Sequence, residues 1–286
     1  MPALVWFFLL VPFAFEMVWV FWPALNSFSL SLTRWNGVTP AVGVGTKNYT
    51  DLWDDPIFRT ALRNTVVWAC GFGVLSVAGG LALAVALNRP GRGVGIYRCA
   101  IYLPMVVSLA VTGLFWRVMY APEGPVNSML EMLALGGLER QWLADPEVAL
   151  YAVLVAAVWR QVGYIMVLYL AGLKGTDPTL DEAAAVDGAS ASQRFWRITL
   201  PQLRGVNTVV FAVTVIDSLR TFDIVWAMTR GGPYNSTQLL STYMFQQAFT
   251  LVNLGYGSAV AVVIFALAIG FIITYLARSL RGEDSA

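Results

Sequence analysis

The sequence lacks several residue types that enzyme sites commonly use. It contains no histidine and only two cysteines, Cys70 and Cys99, which lie in or beside apolar segments and form no metal or redox motif. This composition argues against a metal-dependent hydrolase. Its two lysines, Lys47 and Lys174, do not follow a Gly-x-x-x-x-Gly pattern. The chain therefore has no loop of the kind that holds ATP phosphates.

Charged residues are scarce as well. They make up 12% of the 286 residues, about half the share of a typical soluble domain. Hydrophobic residues make up 58%, and the mean hydropathy is +0.65. The net charge of +1 gives no reason to expect a nucleic-acid partner. The sequence opens without a cationic region followed by a small-residue cleavage site, so we expect no cleaved signal peptide.

Six segments are long and apolar enough to cross a bilayer, and backbone polar groups in lipid must be paired internally. The sequence therefore predicts an all-α, polytopic helical bundle with six transmembrane helices. Loops on one side carry more Lys and Arg, which places both termini in the cytoplasm. The predicted spans are Leu4–Leu25, Thr65–Leu87, Ile101–Met119, Val148–Leu173, Val206–Met228 and Ser258–Leu276.

A polar segment, residues 174–204, interrupts the apolar sequence between the fourth and fifth spans; we call it the polar hairpin. Asp177 suits the N-cap of a short helix, and Gly188 suits a left-handed residue at its end. Ser190 and Gln193 have the spacing of a capping box, which predicts a second short helix. Pro201 fits the first turn of the fifth span.

The polar hairpin closely resembles the EAA loop of binding-protein-dependent ABC importer permeases. The family pattern matches at Glu182–Ala184, at Asp187–Ala189, and at Ile198, Leu200 and Pro201. The resemblance implies a type I importer-like fold in which this cytoplasmic loop docks into a cleft of an ATPase subunit. An ordinary hairpin between two helices is the alternative. The implied coupling residues are Glu182, Ala183, Ala184, Asp187, Gly188 and Ala189.

Shorter motifs extend the resemblance along nearly the whole chain, to carbohydrate-type permeases similar to those for maltose, lactose and glycerol-phosphate. Examples are Asn64-Thr65 before the second span and Gly231-Gly232-Pro233 after the fifth. The implied division is a first transmembrane helix with an external loop in residues 1–60 and the permease core in residues 61–286. The implied function is to form half of a pore for a sugar or related polar solute in a prokaryotic plasma membrane.

The implied partners are a second homologous permease, two ATP-binding cassette subunits, an extracytoplasmic solute-binding protein and membrane lipid. The chain itself would be no enzyme and hold no cofactor, because the ATPase subunits bind ATP and Mg. A self-sufficient secondary transporter is the first alternative, although it predicts internal repeats that the sequence does not show convincingly. A membrane-embedded enzyme using Asp217, Asp223 and Glu16 is the second.

Polar residues within the fourth and fifth spans are candidates for the substrate pathway. Asp217, Ser218 and Thr221 fall near one helical face, and Thr214 lies one turn away. The resemblance implies that residues matching Thr214, Ser218, Thr221 and Tyr164 contact the sugar. The alternative is contacts between helices, which we favour for Arg160 and Arg220; Asp217 could pair with Arg220. The complete candidate set is Tyr164, Gln161, Thr214, Asp217, Ser218 and Thr221.

Glycines in the second span are expected at close helix contacts rather than at a hinge. They are Gly71, Gly73, Gly79 and Gly80.

Overall fold

The computed structural model describes residues 2–89 and 91–283, with side chains described for 6–89 and 91–273. The described chain is mostly helical. The helices are α1 (Pro2–Glu16), α2 (Trp22–Ser31), α3 (Lys47–Asp54), α4 (Pro56–Leu87), α5 (Val94–Val106), α6 (Leu109–Met119), α7 (Pro125–Met132), α8 (Ala149–Leu173), α9 (Pro178–Val186), α10 (Ala191–Arg194), α11 (Leu200–Gln202), α12 (Arg204–Leu219), α13 (Asp223–Met228), α14 (Leu240–Phe245) and α15 (Leu254–Glu283).

Shorter elements join some of these helices. Two-residue strands, β1 (Thr33–Arg34) and β2 (Val42–Gly43), pair antiparallel with Thr33 opposite Gly43. Turns of π-helix lie at Met17–Phe21, Phe195–Thr199 and Gln246–Thr250, and a 3₁₀ turn lies at Gly136–Leu138.

Four described helical segments are long and apolar enough to cross a membrane, and two bent helix pairs raise the number to six. The single segments are Trp6–Ser31, Pro56–Leu87, Ala149–Leu173 and Leu254–Ile273. One bent pair is α5 with α6, at 103°, and the other joins Ala191–Gln202 to α12, at 73°. The predicted all-α membrane bundle is thus confirmed, with the span count approximate.

The fifth predicted span, Val206–Met228, is not one helix. The helix α12 ends at Leu219, and α13 starts at Asp223. Ser218 and Thr221 donate their hydroxyls back to the carbonyls of Val215 and Asp217, and such bonds compete with the helical backbone pattern. The placement of Pro201 was also wrong: it lies in α11, before the 73° bend that precedes α12.

The described chain forms two compact units, one made of residues 2–62 with 239–271 and the other of 63–89 and 91–238 with 272–283. In the second unit, α8 is the central helix. Its Ile165, Met166 and Tyr169 are fully buried in one cluster with Leu203 and Val210. Because lipid is as apolar as these side chains, close van der Waals packing rather than removal from water holds such a cluster together in a membrane.

Small residues let helices of this unit approach closely. A Cβ at Gly163 of α8 would overlap the carbonyl oxygen of Ile101 in α5. On α4, a Cβ at Gly71 would lie 2.7 Å from Leu154 and one at Gly79 3.2 Å from Val162. The predicted packing role is confirmed there and also at Gly80, but it was wrong for Gly73, where a Cβ would meet nothing within 4 Å.

The first unit is held together around Asp55. Its Oδ1 accepts a hydrogen bond from the backbone N–H of Ile57 over 2.7 Å and so caps α4. Its Oδ2 accepts hydrogen bonds from the hydroxyls of Tyr243 and Tyr256. Burial, together with the bond to Asp55, raises the pKa of Tyr243 above its ordinary value. One carboxylate therefore connects α4, α14 and α15.

Candidate functional site

The polar hairpin has the local structure that its sequence predicts. Asp177 caps α9, since its Oδ1 accepts from the backbone N–H of Thr179 over 2.9 Å. Hydrogen bonds from the Thr179 side chain and backbone lower the pKa of Asp177. Gly188 has φ +84°, the left-handed conformation expected after α9. The capping box forms in both directions between Ser190 and Gln193.

Two side-chain contacts fix the arms of the hairpin to each other. Arg194 donates from Nη1 to Oδ2 of Asp181 over 3.0 Å, which joins α10 to α9. The backbone N–H of Asp177 donates to Oε1 of Gln202 over 2.8 Å, which joins the start of the hairpin to α11. These two contacts therefore hold the segments before and after the turn in a fixed arrangement.

The residues that match the EAA pattern lie around this turn. Glu182, Ala183, Asp187 and Gly188 are exposed, and Ala184 and Ala189 are half-buried. A shallow cavity of about 440 Å³ lies beside them and is lined also by Arg197 and Ile198. A Cβ at Gly188 would meet nothing within 4 Å. The space around the turn is thus open to a partner.

Of the three hydroxyl residues of the fifth predicted span, Thr214 and Ser218 lie one turn apart in α12, and Thr221 lies in the short segment between α12 and α13. Thr214, Ser218 and Thr221 are all buried. Thr214 donates to the carbonyl of Val210 over 2.6 Å, and the other two donate to carbonyls of their own chain segment. In this conformation the hydroxyls are therefore occupied by backbone acceptors.

Two further contacts complete this group, which we call the membrane polar cluster: Gln161, Thr214, Asp217, Ser218, Thr221 and Trp68. Gln161 of α8 donates from Nε2 to Oδ2 of Asp217 over 3.0 Å. Buried Trp68 of α4 donates from Nε1 to Oγ1 of Thr221 over 3.2 Å. Sequence reasoning missed Trp68, although a tryptophan in a span needs an acceptor for its indole N–H.

The structure also describes the surroundings of two other candidate residues of this region, Asp217 and Tyr164. Within residues 2–89 and 91–283 no ion pair forms between Asp217 and Arg220, and Asp217 bonds to Gln161 instead. Tyr164 is half-buried against the α8 core cluster. In the same described residues no hydrogen bond links it to the hydroxyls of α12.

Two buried asparagines, Asn48 and the Asn64 of the motif before the second span, have clear structural roles. Buried Asn48 donates from Nδ2 to the carbonyls of Ser31 and Thr33, over 2.7 and 2.9 Å. Buried Asn64 donates in the same way to the carbonyls of Ser236 and Gln238, over 2.7 and 3.1 Å. Each amide satisfies backbone carbonyls of a distant segment and so fixes a loop.

The comparisons with known proteins agree with this fold and with the motifs. The family described as "Binding-protein-dependent transport system inner membrane component" matches residues 76–282. The probable ABC transporter permease protein PH1215 of Pyrococcus horikoshii is 35% identical over 93% of this chain and 92% of its own length. The lactose transport system permease protein LacF of Rhizobium radiobacter is 34% identical over 96% of this chain and 93% of its own length.

A solved structure of a bacterial alginate ABC transporter in complex with an alginate pentasaccharide-bound periplasmic protein contains a chain of the same fold. The TM-score is 0.84 at 20% identity, and the match covers 98% of this chain and 94% of that chain. Membership in the family also removes the two alternatives, a self-sufficient secondary transporter and a membrane enzyme. The chain belongs to the inner membrane components of binding-protein-dependent transport systems: it is a membrane-embedded permease subunit of an ABC importer.

Proposed function

We propose that this permease forms half of the pore of an ATP-driven importer for a sugar or a related polar solute. The observation that carries the proposal is the placement of the polar hairpin between α8 and α12. Those two helices also carry Gln161 and Asp217, which bond to each other within the membrane. A movement of the hairpin therefore acts directly on the helices that hold the membrane polar cluster.

The hairpin is proposed as the docking element for an ATPase subunit. Its exposed turn, the small residues beside it and its rigid base suit insertion into a cleft of another protein. Glu182 lies in the middle of α9 and is exposed, and we propose that its charge pairs with a cation of the ATPase subunit. Two ATPase subunits, which bind ATP and Mg, would serve this chain and a second homologous permease.

The membrane polar cluster and Tyr164 are proposed to border the solute pathway. Hydroxyl, amide and carboxylate groups suit the hydrogen bonds of a sugar, and the tyrosine offers an aromatic face. The relatives support this solute class, because one is named for lactose and the structural neighbour transports alginate. The hydroxyls bond to backbone carbonyls in this conformation, so a second conformation would have to turn them toward the solute.

In the proposed cycle, a solute-binding protein delivers the ligand outside the cell while the ATPase subunits close beneath the hairpins. Both ligands, the loaded binding protein and ATP, then favour the same outward-open state of the pore. Such coupling is reciprocal: each ligand strengthens the binding of the other by the same factor. We propose that the hairpin lies in the cytoplasm, where the ATPase subunits act, and that both termini lie on the same side, as the distribution of Lys and Arg predicts.

The test is reconstitution of the complete importer. The tagged chain is expressed with the products of neighbouring genes and purified from membranes, and the accompanying proteins are identified. We expect an ATPase and a second permease to co-purify, and vesicles to accumulate a labelled sugar only with ATP inside and the binding protein outside. Sugar uptake by vesicles that contain this chain without an ATPase would contradict the proposal.

A further inference from the structure

The third predicted span is broken where α5 meets α6. Pro104 lies within α5, and Val107 is extended, with φ −77° and ψ 138°. The last carbonyls of a helix have no donors within that helix, and the interior of a bilayer has no water to replace them. A bend of 103° within a predicted span therefore needs donors from elsewhere in the protein.

The bend is capped from both sides. On the α6 side, Oγ of Ser108 accepts from the backbone N–H of Val111 over 3.3 Å. On the α5 side, Arg160 of α8 donates from Nε to the carbonyl of Val107 over 3.1 Å and from Nη2 to that of Met105 over 3.2 Å. A guanidinium offers five N–H donors in a fixed plane, so one side chain reaches both carbonyls. Its charge also suits the negative end of a helix.

Neighbours of Arg160 connect the same stretch of α8 to two other helices. Gln161 bonds to Asp217 of α12, and Asp217 also acts electrostatically on Arg160. Gly163 packs directly against the backbone of α5 at Ile101. The helix then runs to Leu173, where the polar hairpin begins.

We propose that Arg160 is a positioning residue of the transport cycle: it holds the bend between α5 and α6 and makes this bend follow displacements of α8. The part of this proposal that concerns the bend rests on the observed contacts of Arg160 alone and does not need the proposed function. The cause of the displacement of α8 is taken from the proposed function, in which an ATPase moves the polar hairpin. Arg160 therefore conveys the position of the hairpin to the third span without touching solute.

The first measurement is the geometry of the bend. Spin labels are placed at Ile96→Cys on α5 and Val118→Cys on α6, both largely exposed, after replacement of Cys70 and Cys99 by serine. Distances between the labels are measured by electron paramagnetic resonance in the full-length permease within its importer. In Arg160→Gln we expect a broader and shifted distance distribution, because the neutral amide is too short to hold both carbonyls. Arg160→Lys, with one compact ammonium group, should give an intermediate distribution.

The matched control is Arg220→Gln. Arg220 directly follows α12 and is exposed, and its side chain makes no hydrogen bond or ion pair within the part of the chain that the structure describes. This control should leave the distribution as in the parent protein. If Arg160→Gln accumulates poorly in membranes, Arg160→Lys carries the same measurement. Parent-like distributions in the Arg160 variants that do accumulate would overturn the proposal.

The second measurement separates positioning from general damage. ATP-driven uptake in Arg160→Gln should fall about tenfold or more in maximal rate, since two charge-assisted hydrogen bonds are lost, while the KM for the loaded binding protein stays within about twofold. A raised KM at an unchanged maximal rate contradicts a positioning role and indicates a contact with solute or binding protein. Failure of the ATPase to co-purify would refute the proposed function, whereas the distances between the labels still decide the role of Arg160.

Discussion

Gln161 of α8 donates a hydrogen bond from Nε2 to Oδ2 of Asp217 in α12, over 3.0 Å. The two helices are consecutive spans, and the polar hairpin connects them. The polar hairpin joins α8 and α12 outside the membrane, and this hydrogen bond joins the same two helices within it. An ionisable residue in a span is costly unless it is paired, so this contact matters for stability as well as for coupling.

The first prediction concerns this bond. Gln161→Leu should destabilise the permease by about 1–3 kcal/mol, because the carboxylate of Asp217 loses its donor in a poorly hydrated site. Asp217→Asn in the same chain should recover much of that loss, since a neutral amide is cheaper to leave without a partner. Thermal unfolding of the two single variants and of the double variant measures the coupling. Additive losses would show that the two side chains do not interact.

The second prediction concerns the contact between Trp68 and Thr221. Thr221→Val keeps the shape of the side chain but removes the acceptor for the buried indole N–H, which should cost about 1–3 kcal/mol. Thr221→Ser keeps the oxygen and should lose much less. Unfolding midpoints of the two variants in detergent give the comparison. Equal midpoints would mean that the indole bond contributes nothing to stability.

The third prediction concerns close packing of the helices. Gly163→Ala should lower the amount of folded permease strongly, because its Cβ would overlap the backbone carbonyl of Ile101, which cannot move aside as a flexible side chain can. Gly73→Ala is the matched control, since nothing lies within 4 Å of its Cβ position. Size-exclusion profiles of tagged protein report the folded fraction. A monodisperse Gly163→Ala protein with the parent yield would refute the contact between α5 and α8.

Features that depend on a few neighbouring residues could be predicted from the sequence. Asp177, Gly188 and the Ser190–Gln193 pair all take the conformations that capping rules assign to them. Hydrophobic length likewise located the spans, because lipid allows few backbone structures. The shared side of Thr214 and Ser218 follows from helical spacing, whereas Thr221 lies beyond the end of α12.

Features that depend on residues distant in the sequence could not be predicted. The donor that caps the bend after α5 comes from Arg160, and the acceptor for Trp68 comes from Thr221. Spacing along the chain suggested an ion pair between Asp217 and Arg220. In the tertiary fold, Asp217 instead accepts a hydrogen bond from Gln161 of another helix. Hydropathy also could not show that the third and fifth spans are interrupted. Each break is only two or three residues long, too short to lower the mean hydropathy of a whole span.

The fourth prediction concerns topology. Val186 next to the hairpin turn is 87% exposed, and Tyr234 in the segment between α13 and α14 is 92% exposed. In a background without Cys70 and Cys99, a cysteine at position 234 should react with a membrane-impermeant maleimide in intact cells. A cysteine at position 186 should react only after the membrane is opened. Labelling of position 186 from outside would place the hairpin on the wrong side for an ATPase.

The last prediction concerns Gly188 and distinguishes backbone strain from steric block at the docking surface. Its left-handed φ costs a residue with a side chain roughly 1–2 kcal/mol, whereas asparagine tolerates this conformation better. Because a Cβ at this position meets nothing in the chain, neither variant should clash internally. Gly188→Val should therefore distort the turn, and Gly188→Asn should keep the turn but place a side chain on its surface.

Both variants should reach the membrane and yet lose ATPase co-purification and uptake, if docking needs a bare turn. The size-matched control is Gly205→Val at the start of α12, where a Cβ also meets nothing within 4 Å and φ is not left-handed. This control should retain both activities. Retention of ATPase binding by Gly188→Asn alone would show that the shape of the turn, rather than its small surface, is what the partner requires. Parent-like ATPase binding and uptake in Gly188→Val at normal membrane levels would refute the coupling role of the hairpin, because that variant combines the strained backbone with the bulkier side chain.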